Sequence, residues 1–173
     1  MADLITTRLL LHPLSIDEAR RLVESTPQGE DHWEAGYPTD GDVTGARKFL
    51  DNCARTGDTR PYGPYELRRA DNGRAIGGVG FHGPPNAAGT VTIGYGLAHS
   101  AQGKGYASEA LRGLLAAARD WGVAAVEGDA DRDNIASRRV MEAVGMRCVA
   151  EDERLAFYRI TWSDGPDDAG VGP

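Results

Sequence analysis

The sequence predicts an α/β fold, a mixed sheet with helices on both faces. Three observations predict it. Apolar patterns of period 2 and period 3.6 follow one another as β-α-α-β-β-β-α-β-α-β-β. The three central strand candidates are joined by short turns, the mark of an antiparallel meander. A glycine turn, Gln102-Gly103-Lys104-Gly105-Tyr106-Ala107, then carries a strand into a long amphipathic helix.

The elements run in order. Leu4 to Leu14 is apolar and β-compatible, centred on Leu9, Leu10 and Leu11. Ser15 with Glu18 three residues later forms a capping box for a helix ending near Ser25. Residues 26–42 contain Pro27, Gly29, Gly36, Pro38 and Gly41, so they read as a loop or broken helix that holds Trp33 and Tyr37. Asp42 or Thr44 is the expected cap of the second helix, which ends near Gly57. Strands are expected over Tyr62 to Ala70, Ala75 to Phe81 and Thr90 to Ala98, with Asp71-Asn72-Gly73 as the first hairpin turn.

Ala107, Ala110, Leu111, Leu114, Leu115, Ala118 and Trp121 form the apolar stripe of the third helix, with Gly122 as its C-terminal stop. Val123 to Ala130 is the next strand. Asp133 or Asn134 caps a last helix lined by Ala136, Val140, Met141 and Val144 and closed by Gly145. Met146 to Ala150 and Arg154 to Ile160 form a closing pair of strands. The 173-residue length suits one domain over residues 1–162. Residues 163–173 are Asp, Gly and Pro with almost nothing apolar, and a disordered tail is expected there. No internal repeat is present.

The net charge of −7 argues against a nucleic-acid backbone or an anionic membrane surface as partner, since both need clustered Lys and Arg. It is compatible with a cationic substrate. The N-terminus carries an acid and no long apolar run, and no stretch approaches the ~20 apolar residues of a spanning helix. Cys53 and Cys148 are far apart in sequence and lack metal-ligand spacing, so no metal site is expected. Together these features point to a reduced chain in the cytoplasm.

A strand that turns through glycines into a helix exposes backbone N–H groups at the helix start. Those groups and the helix dipole suit phosphate oxygens. Two common phosphate motifs fail. The Walker A pattern has Ala98 at its first glycine and Gly105 where Ser or Thr is required. The dinucleotide fingerprint ends in Ser108, and the turn sits mid-chain after the meander. A nucleotide hydrolase also lacks clustered acids for Mg²⁺ beside the turn.

The turn does fit Q/R-x-x-G-x-G/A, with Gln102, Gly105 and Ala107 at the defined places. It resembles the pyrophosphate loop of the GNAT superfamily of acetyl-CoA-dependent N-acetyltransferases. Asn134, Ser137, Arg139, Glu142 and Gly145 match an N-x-x-S-x-R-x-x-E-x-x-G pattern similar to the branch that acetylates ribosomal-protein N-termini. Thr7-Arg8-Leu9-Leu10-Leu11 and Ile93-Gly94-Tyr95 resemble that branch as well. The resemblance covers about residues 4–160. It implies a mostly antiparallel mixed sheet of about seven strands, splayed at the centre and flanked by about four helices, and a homodimer.

The resemblance also implies roles. Pantetheine inserts between the splayed strands, with main-chain groups of Leu97 and Ala98 beside it and the Leu97 N–H polarising the thioester carbonyl. Backbone N–H groups of Gln102, Gly103, Lys104, Gly105, Tyr106 and Ala107 hold the pyrophosphate. Lys104 adds charge or is a solvated surface lysine. Asn134 caps the last helix, bonds pantetheine, or does both. Arg138 and Arg139 reach the adenosine phosphates or form a polar helix face.

Amine attack on a thioester needs a neutral amine and stabilisation of the departing thiolate. Many family members use a tyrosine on the last helix for the second task, and here Met141 stands there. Ser137 is the substitute, by hydrogen bonding to the thiolate rather than full proton transfer, or else a helix-start serine bonding backbone. Relatives often carry glutamate before Ile-Gly-Tyr, where this chain has Thr92. The base is open among His82, His99, Glu127, Asp129 and a water chain. Residues 28–42 hold Glu30, Asp31, Glu34, Asp40 and Asp42 with no Lys or Arg, and Trp33 and Tyr37 sit among them. This loop either binds a cationic acceptor, Trp33, Glu34 and Tyr37 being the candidates, or is a solvated acidic loop with two core anchors. The implied reaction is acetyl transfer from acetyl-CoA to a primary amine, a protein N-terminus or a small molecule. A non-catalytic acyl-CoA-binding module is the alternative.

Overall fold

The computed structural model describes residues 1–162. The expectation of disorder over 163–173 lies outside them. The elements are β1 (Leu4–Ile5), β2 (Leu9–Pro13), α1 (Ile16–Glu24), α2 (Asp40–Thr56), β3 (Pro64–Arg69), β4 (Ala75–Phe81), β5 (Thr90–Leu97), α3 (Tyr106–Asp120), β6 (Ala125–Asp131), α4 (Ile135–Ala143), β7 (Arg147–Glu151) and β8 (Leu155–Thr161). The strands form one sheet in the order β1-β2-β3-β4-β5-β6-β8-β7, and only β5 and β6 run parallel. This is the mixed, mostly antiparallel α/β fold that the patterns predict, with eight strands among the described residues rather than about seven.

The extra strand arises at the start. Thr6 turns the chain, its N–H donating to the Leu9 carbonyl at 2.9 Å, so the expected single strand becomes β1 and β2. The Ser15–Glu18 capping box closes the start of α1. α2 corrects the expected cap, because Thr39 is the N-cap and Asp42 is its box partner at N3. Aspartate, not glutamate, completes this box, and the shorter acid still reaches the Thr39 N–H at 2.9 Å. α4 departs from its expected lining, since Ala136 is exposed and only Met141 is fully buried. A nine-residue helix at the end of the sheet has too little covered surface to bury a full stripe.

Each face of the sheet has its own core. Leu111 and Leu114 of α3 pack with Leu9, Leu11, Leu67, Ile76 and Val126 on one side. On the other, Leu22 of α1 and Ala46 and Phe49 of α2 pack with Leu14, Tyr37 and Ala75. Burying large apolar side chains of this kind supplies roughly 1.5–3 kcal/mol each against an exposed reference.

Two features position the site. β5 and β6 pair only from Thr90–Thr92 to Ala125–Glu127. Beyond Ile93, β5 stays with β4 and β6 stays with β8, so the sheet opens between them. Ile93 and Met141 crowd over Gly128, where an added Cβ would meet their side chains at 3.0 and 3.4 Å. The second feature is a bare patch on the α2 side of β4 and β5. Gly78 pairs with Gly96 and Gly80 with Gly94, leaving four neighbouring positions without side chains.

Candidate active site

Main-chain direction sets the chemistry of the opened strand. Ala98 donates its N–H to the Ile76 carbonyl at 2.8 Å, and the Thr92 carbonyl accepts from His82. Even-numbered residues of β5 therefore face β4. The N–H groups of Ile93, Tyr95 and Leu97 face the gap on the β6 side by strand alternation. By the same alternation the Leu97 N–H is presented to the gap. Ala98 differs, because its N–H is committed to β4 and its carbonyl accepts from Ala101.

After β5 the chain makes a 3₁₀ turn, His99–Ala101, and then the glycine turn. Gly103 and Gly105 have φ of 75° and 80°, conformations that favour glycine. Gly105 is the N-cap of α3 and provides no side-chain cap, so the first N–H groups of the helix are not occupied by one. A Cβ at Gly103 would meet nothing within 4 Å. Gln102, Gly103, Lys104 and Gly105 are exposed, Tyr106 is buried and Ala107 half-buried. Gln102 folds back, its Nε2 donating to the Leu97 carbonyl at 3.2 Å.

Arg8 clamps the turn from behind. Its Nη1 donates to the Lys104 carbonyl at 2.8 Å, its Nε to Glu109 at 2.7 Å, and its guanidinium lies 4.4 Å from the Tyr106 ring centre. Thr6 and the Arg8 N–H also donate to Glu109. Burial opposes the Glu109 charge, but these donors outweigh it and hold the carboxyl below its usual range.

Across the gap, Asn134 caps α4 by accepting from the Ser137 N–H at 3.1 Å. The Ser137 hydroxyl lies 2.7 Å from the phenol oxygen of Tyr95, and that phenol lies 2.9 Å from the Ser137 carbonyl. Arg138 turns inward to the Tyr158 hydroxyl at 3.0 Å and to Glu151 at 2.7 Å, so its charge is already matched. Arg139 is exposed. Met141 is fully buried and fills core.

The acetyltransferase (GNAT) domain family matches residues 8–147. The chain belongs to the GNAT family. It is 28% identical over 156 residues to a Bacillus subtilis (strain 168) protein described as "Uncharacterized N-acetyltransferase YjdG", covering 84% of this chain and 89% of that one. The fold is shared with the ribosomal-protein-S5-alanine acetyltransferase of Vibrio fischeri, at TM-score 0.69 and 13% identity over 95% of this chain and 98% of that one. It is shared also with RimL, a ribosomal L7/L12 α-N-protein acetyltransferase solved with coenzyme A, at TM-score 0.67 and 16% identity over 92% and 97%. The GNAT assignment carries acetyl-CoA-dependent acetyl transfer with it, and the ribosomal-protein branch of the family lies among the fold neighbours.

On the α2 side of its sheet, this GNAT chain has a cavity of about 410 Å³ over the glycine patch. Tyr37, Asp42, Lys48, Phe49 and His82 line it. Tyr37 is buried and donates to Glu66 at 2.9 Å, while burial and the Glu66 charge push its phenol well up. Asp42 keeps one oxygen on Thr39 and sets the other over Gly78, where an added Cβ would stand 2.3 Å away. Burial raises the Asp42 carboxyl. His82 lies over Gly94 at the opposite corner of the patch. Burial of its ring and then the charge of Lys48 lower its pKa, and Asp129 opposes them.

The other sequence candidates lie elsewhere. Glu127 is ion-paired with Arg159. His99 and Asp129 are exposed, and Asp129 is on β6 beyond the point of splay. Trp33 packs edge-on to Tyr37 with ring centres 5.8 Å apart, and Glu34 pairs with Arg74 at 3.6 Å, but neither lines the cavity. Sequence reasoning passed over Tyr95 as a site residue, and it took Asp42 only as one acid of the 28–42 loop or as a helix cap. A usable signal was present in Gly78-x-Gly80 and Gly94-x-Gly96, two period-2 glycine pairs on adjacent strands that together strip one face bare.

Proposed function

We propose that this protein moves an acetyl group from acetyl-CoA to a primary amine seated in the cavity on the glycine patch. One observation carries the reading. The gap between β5 and β6 lies between a glycine turn at the α3 N-terminus and a cavity lined by a histidine and an aspartate. A coenzyme and an acceptor can then approach the same strand from opposite faces.

In this reading the main-chain N–H groups of residues 102–107 hold the diphosphate, and the exposed Lys104 and Arg139 add charge around it. Arg138 contributes by holding α4 to β8 and β7. Pantetheine lies in the gap beside Leu97, with Ala98 shaping the bend. His82 takes a proton from the acceptor ammonium. The neutral nitrogen attacks the thioester carbon, and the Leu97 N–H stabilises the oxyanion. The C–S bond breaks with its electron pair on sulfur. Ser137, oriented by the Asn134 cap, hydrogen-bonds the thiolate. The amide nitrogen loses its remaining excess proton to solvent.

Tyr37 and Asp42 receive the acceptor, while Trp33 and Glu34 brace Tyr37 and the β4 start from outside. The acceptor is a protein N-terminus or a small-molecule amine. RimL and the S5 enzyme act on ribosomal proteins by their descriptions, which makes peptides beginning with Ser or Ala the first acceptors to assay. The free thiols of Cys53 and Cys148 suit a reducing cytoplasm.

The test is release of free CoA from acetyl-CoA with a panel of such peptides, polyamines and aminoglycosides. Acceptor-dependent release, with acetylated product by mass, supports the reading. Tight acetyl-CoA binding without turnover across the panel overturns it in favour of an acyl-CoA-binding module.

A further inference from the structure

We propose that Tyr95 on β5 is a positioning residue for the leaving group: it sets the direction of the Ser137 hydroxyl proton so that the proton points at the departing sulfur. This rests on the acetyl-transfer reading above.

The Tyr95 phenol has one proton and two acceptors within reach, the Ser137 carbonyl at 2.9 Å and the Ser137 hydroxyl oxygen at 2.7 Å. If the phenol donates to the carbonyl, the short contact between the two hydroxyls requires Ser137 to donate to Tyr95. The serine proton is then tied up. If the phenol donates to the serine oxygen, the serine proton is released to a third partner. The two arrangements differ only in two rotations about C–O bonds, and no heavy atom moves.

Neither arrangement leaves a buried group unsatisfied. Ser137 lies in the first turn of α4, and its carbonyl is positioned to accept from the Met141 N–H in the ordinary helical way. Losing the phenol does not orphan it. The serine N–H is held by Asn134 in both states. The choice between states therefore falls to whatever negative charge approaches the serine hydroxyl.

Place supports this role. β5 and α4 stand on the two sides of the opened gap, and Tyr95 spans from one to the other. Its own N–H faces the gap two residues before that of Leu97. A sulfur leaving a carbonyl polarised by Leu97 departs along the gap past this hydroxyl pair. Met141 has no proton to offer. The bond broken is C–S, and its electron pair stays on sulfur. Ser137 stabilises that charge by hydrogen bonding, and Tyr95 replaces the bond that Ser137 gives up. The thiolate takes its final proton from solvent, so no proton is lost from either residue.

The test uses the full chain with Tyr95→Phe, Ser137→Ala and the double variant. Single-turnover acetyl transfer, acetyl-CoA affinity by calorimetry and thermal stability are measured for each. A hydrogen bond to a charged group gives an expected loss of about 10- to 100-fold in the transfer rate for each single variant. Acetyl-CoA affinity should stay within about threefold, since the contact forms only as charge develops on sulfur. The double variant should be no slower than Ser137→Ala alone, because Tyr95 acts through that hydroxyl.

Wild-type transfer rate in Tyr95→Phe overturns the proposal. So does an equal slowing by Tyr95→Phe in the Ser137→Ala background, or a loss of acetyl-CoA affinity and stability without a loss of rate, which makes Tyr95 a simple strap between strand and helix. Wild-type protein that transfers no acetyl group to any acceptor overturns the acetyl-transfer reading itself, a result separate from all of these.

Discussion

The Nε2 of His82 lies so close over Gly94 that a Cβ added to that glycine would stand 2.9 Å from it. The ring sits at the cavity wall on the strand whose far edge opens into the gap.

That placement makes a prediction about pH. The folded-state pKa of His82 is lowered by burial and by Lys48, so the ring is neutral, and able to accept a proton, from below pH 6.5 upward. Turnover at saturating acceptor should rise with pH along a limb centred below 6.5 and then level off. His82→Gln should abolish that limb and lower kcat by about 100-fold or more, with acetyl-CoA affinity unchanged. A pH–rate profile with the same acidic limb in the variant would assign the base elsewhere. Gly94→Ala should lower kcat less than His82→Gln does, because the ring can swing away at the end of a flexible side chain.

Gly78→Ala should strike both stability and acceptor binding. Its Cβ would meet the Asp42 carboxylate oxygen at 2.3 Å, and Asp42 completes the capping box of α2. Displacing it should cost about 1 kcal/mol, which lowers Tm by about 2–4 °C in a chain of this size. The KM for acceptor should rise while that for acetyl-CoA holds. Differential scanning fluorimetry with steady-state kinetics checks both arms.

Arg8→Lys should loosen the glycine turn. Lysine keeps the charge but cannot donate at once to the Lys104 carbonyl and to Glu109 in the forked geometry of a guanidinium. The Arg8 side chain is 44% exposed, so solvent weakens the ion pair, and the effect on global stability should be small. With the diphosphate held by the turn as proposed, acetyl-CoA affinity should fall by about 3- to 10-fold by calorimetry.

His12 should make part of the stability pH-dependent. Its two ring nitrogens reach Asp3 at 2.8 Å and Glu18 at 2.9 Å. The hydrogen bond that the protonated ring donates to Glu18 raises its pKa, with burial opposing and Asp3 assisting. The folded chain therefore favours the protonated ring. Its contribution is complete below about pH 6.5 and is lost as pH rises through the raised value. Burial pushes Glu18 up, but His12 and the Ser15 N–H outweigh it and bring the carboxyl down to about 2. That contribution is present above about pH 4.5 and fades as pH falls toward 2. His12→Gln should lower stability at pH 6 and have little effect at pH 9, measured by urea denaturation.

The local parts of this architecture are readable from the chain. Ser15 with Glu18, Asn134 at the start of α4, Gly122 and Gly145 after α3 and α4, and the stripe from Ala110 to Ala118 each depend on neighbours within a turn or two. Their spacing expresses the same physics in sequence and in space. The α2 cap was missed for a local reason: the template seeks glutamate or glutamine at N3, and aspartate does the work here. The eighth strand was missed because a single threonine hydroxyl and N–H divide an otherwise continuous apolar run.

The site is divided along a similar line. The glycine turn is a short contiguous motif, so Gln102 to Ala107 could be singled out before any fold was known. The contacts that give it shape and chemistry join residues far apart in the chain. Arg8 reaches Lys104 across 96 positions, Tyr95 meets Ser137 across 42, and Tyr37 meets Glu66 across 29. No periodicity records such pairs, because each depends on where strands and helices pack after the backbone has closed. Helices, strands and the phosphate-type turn thus follow from local propensity and spacing. Which arginine is spent inward, which tyrosine stands beside the serine, and which histidine overlies bare backbone follow from strand register and the point where β5 and β6 part. Those are set by packing of the whole sheet.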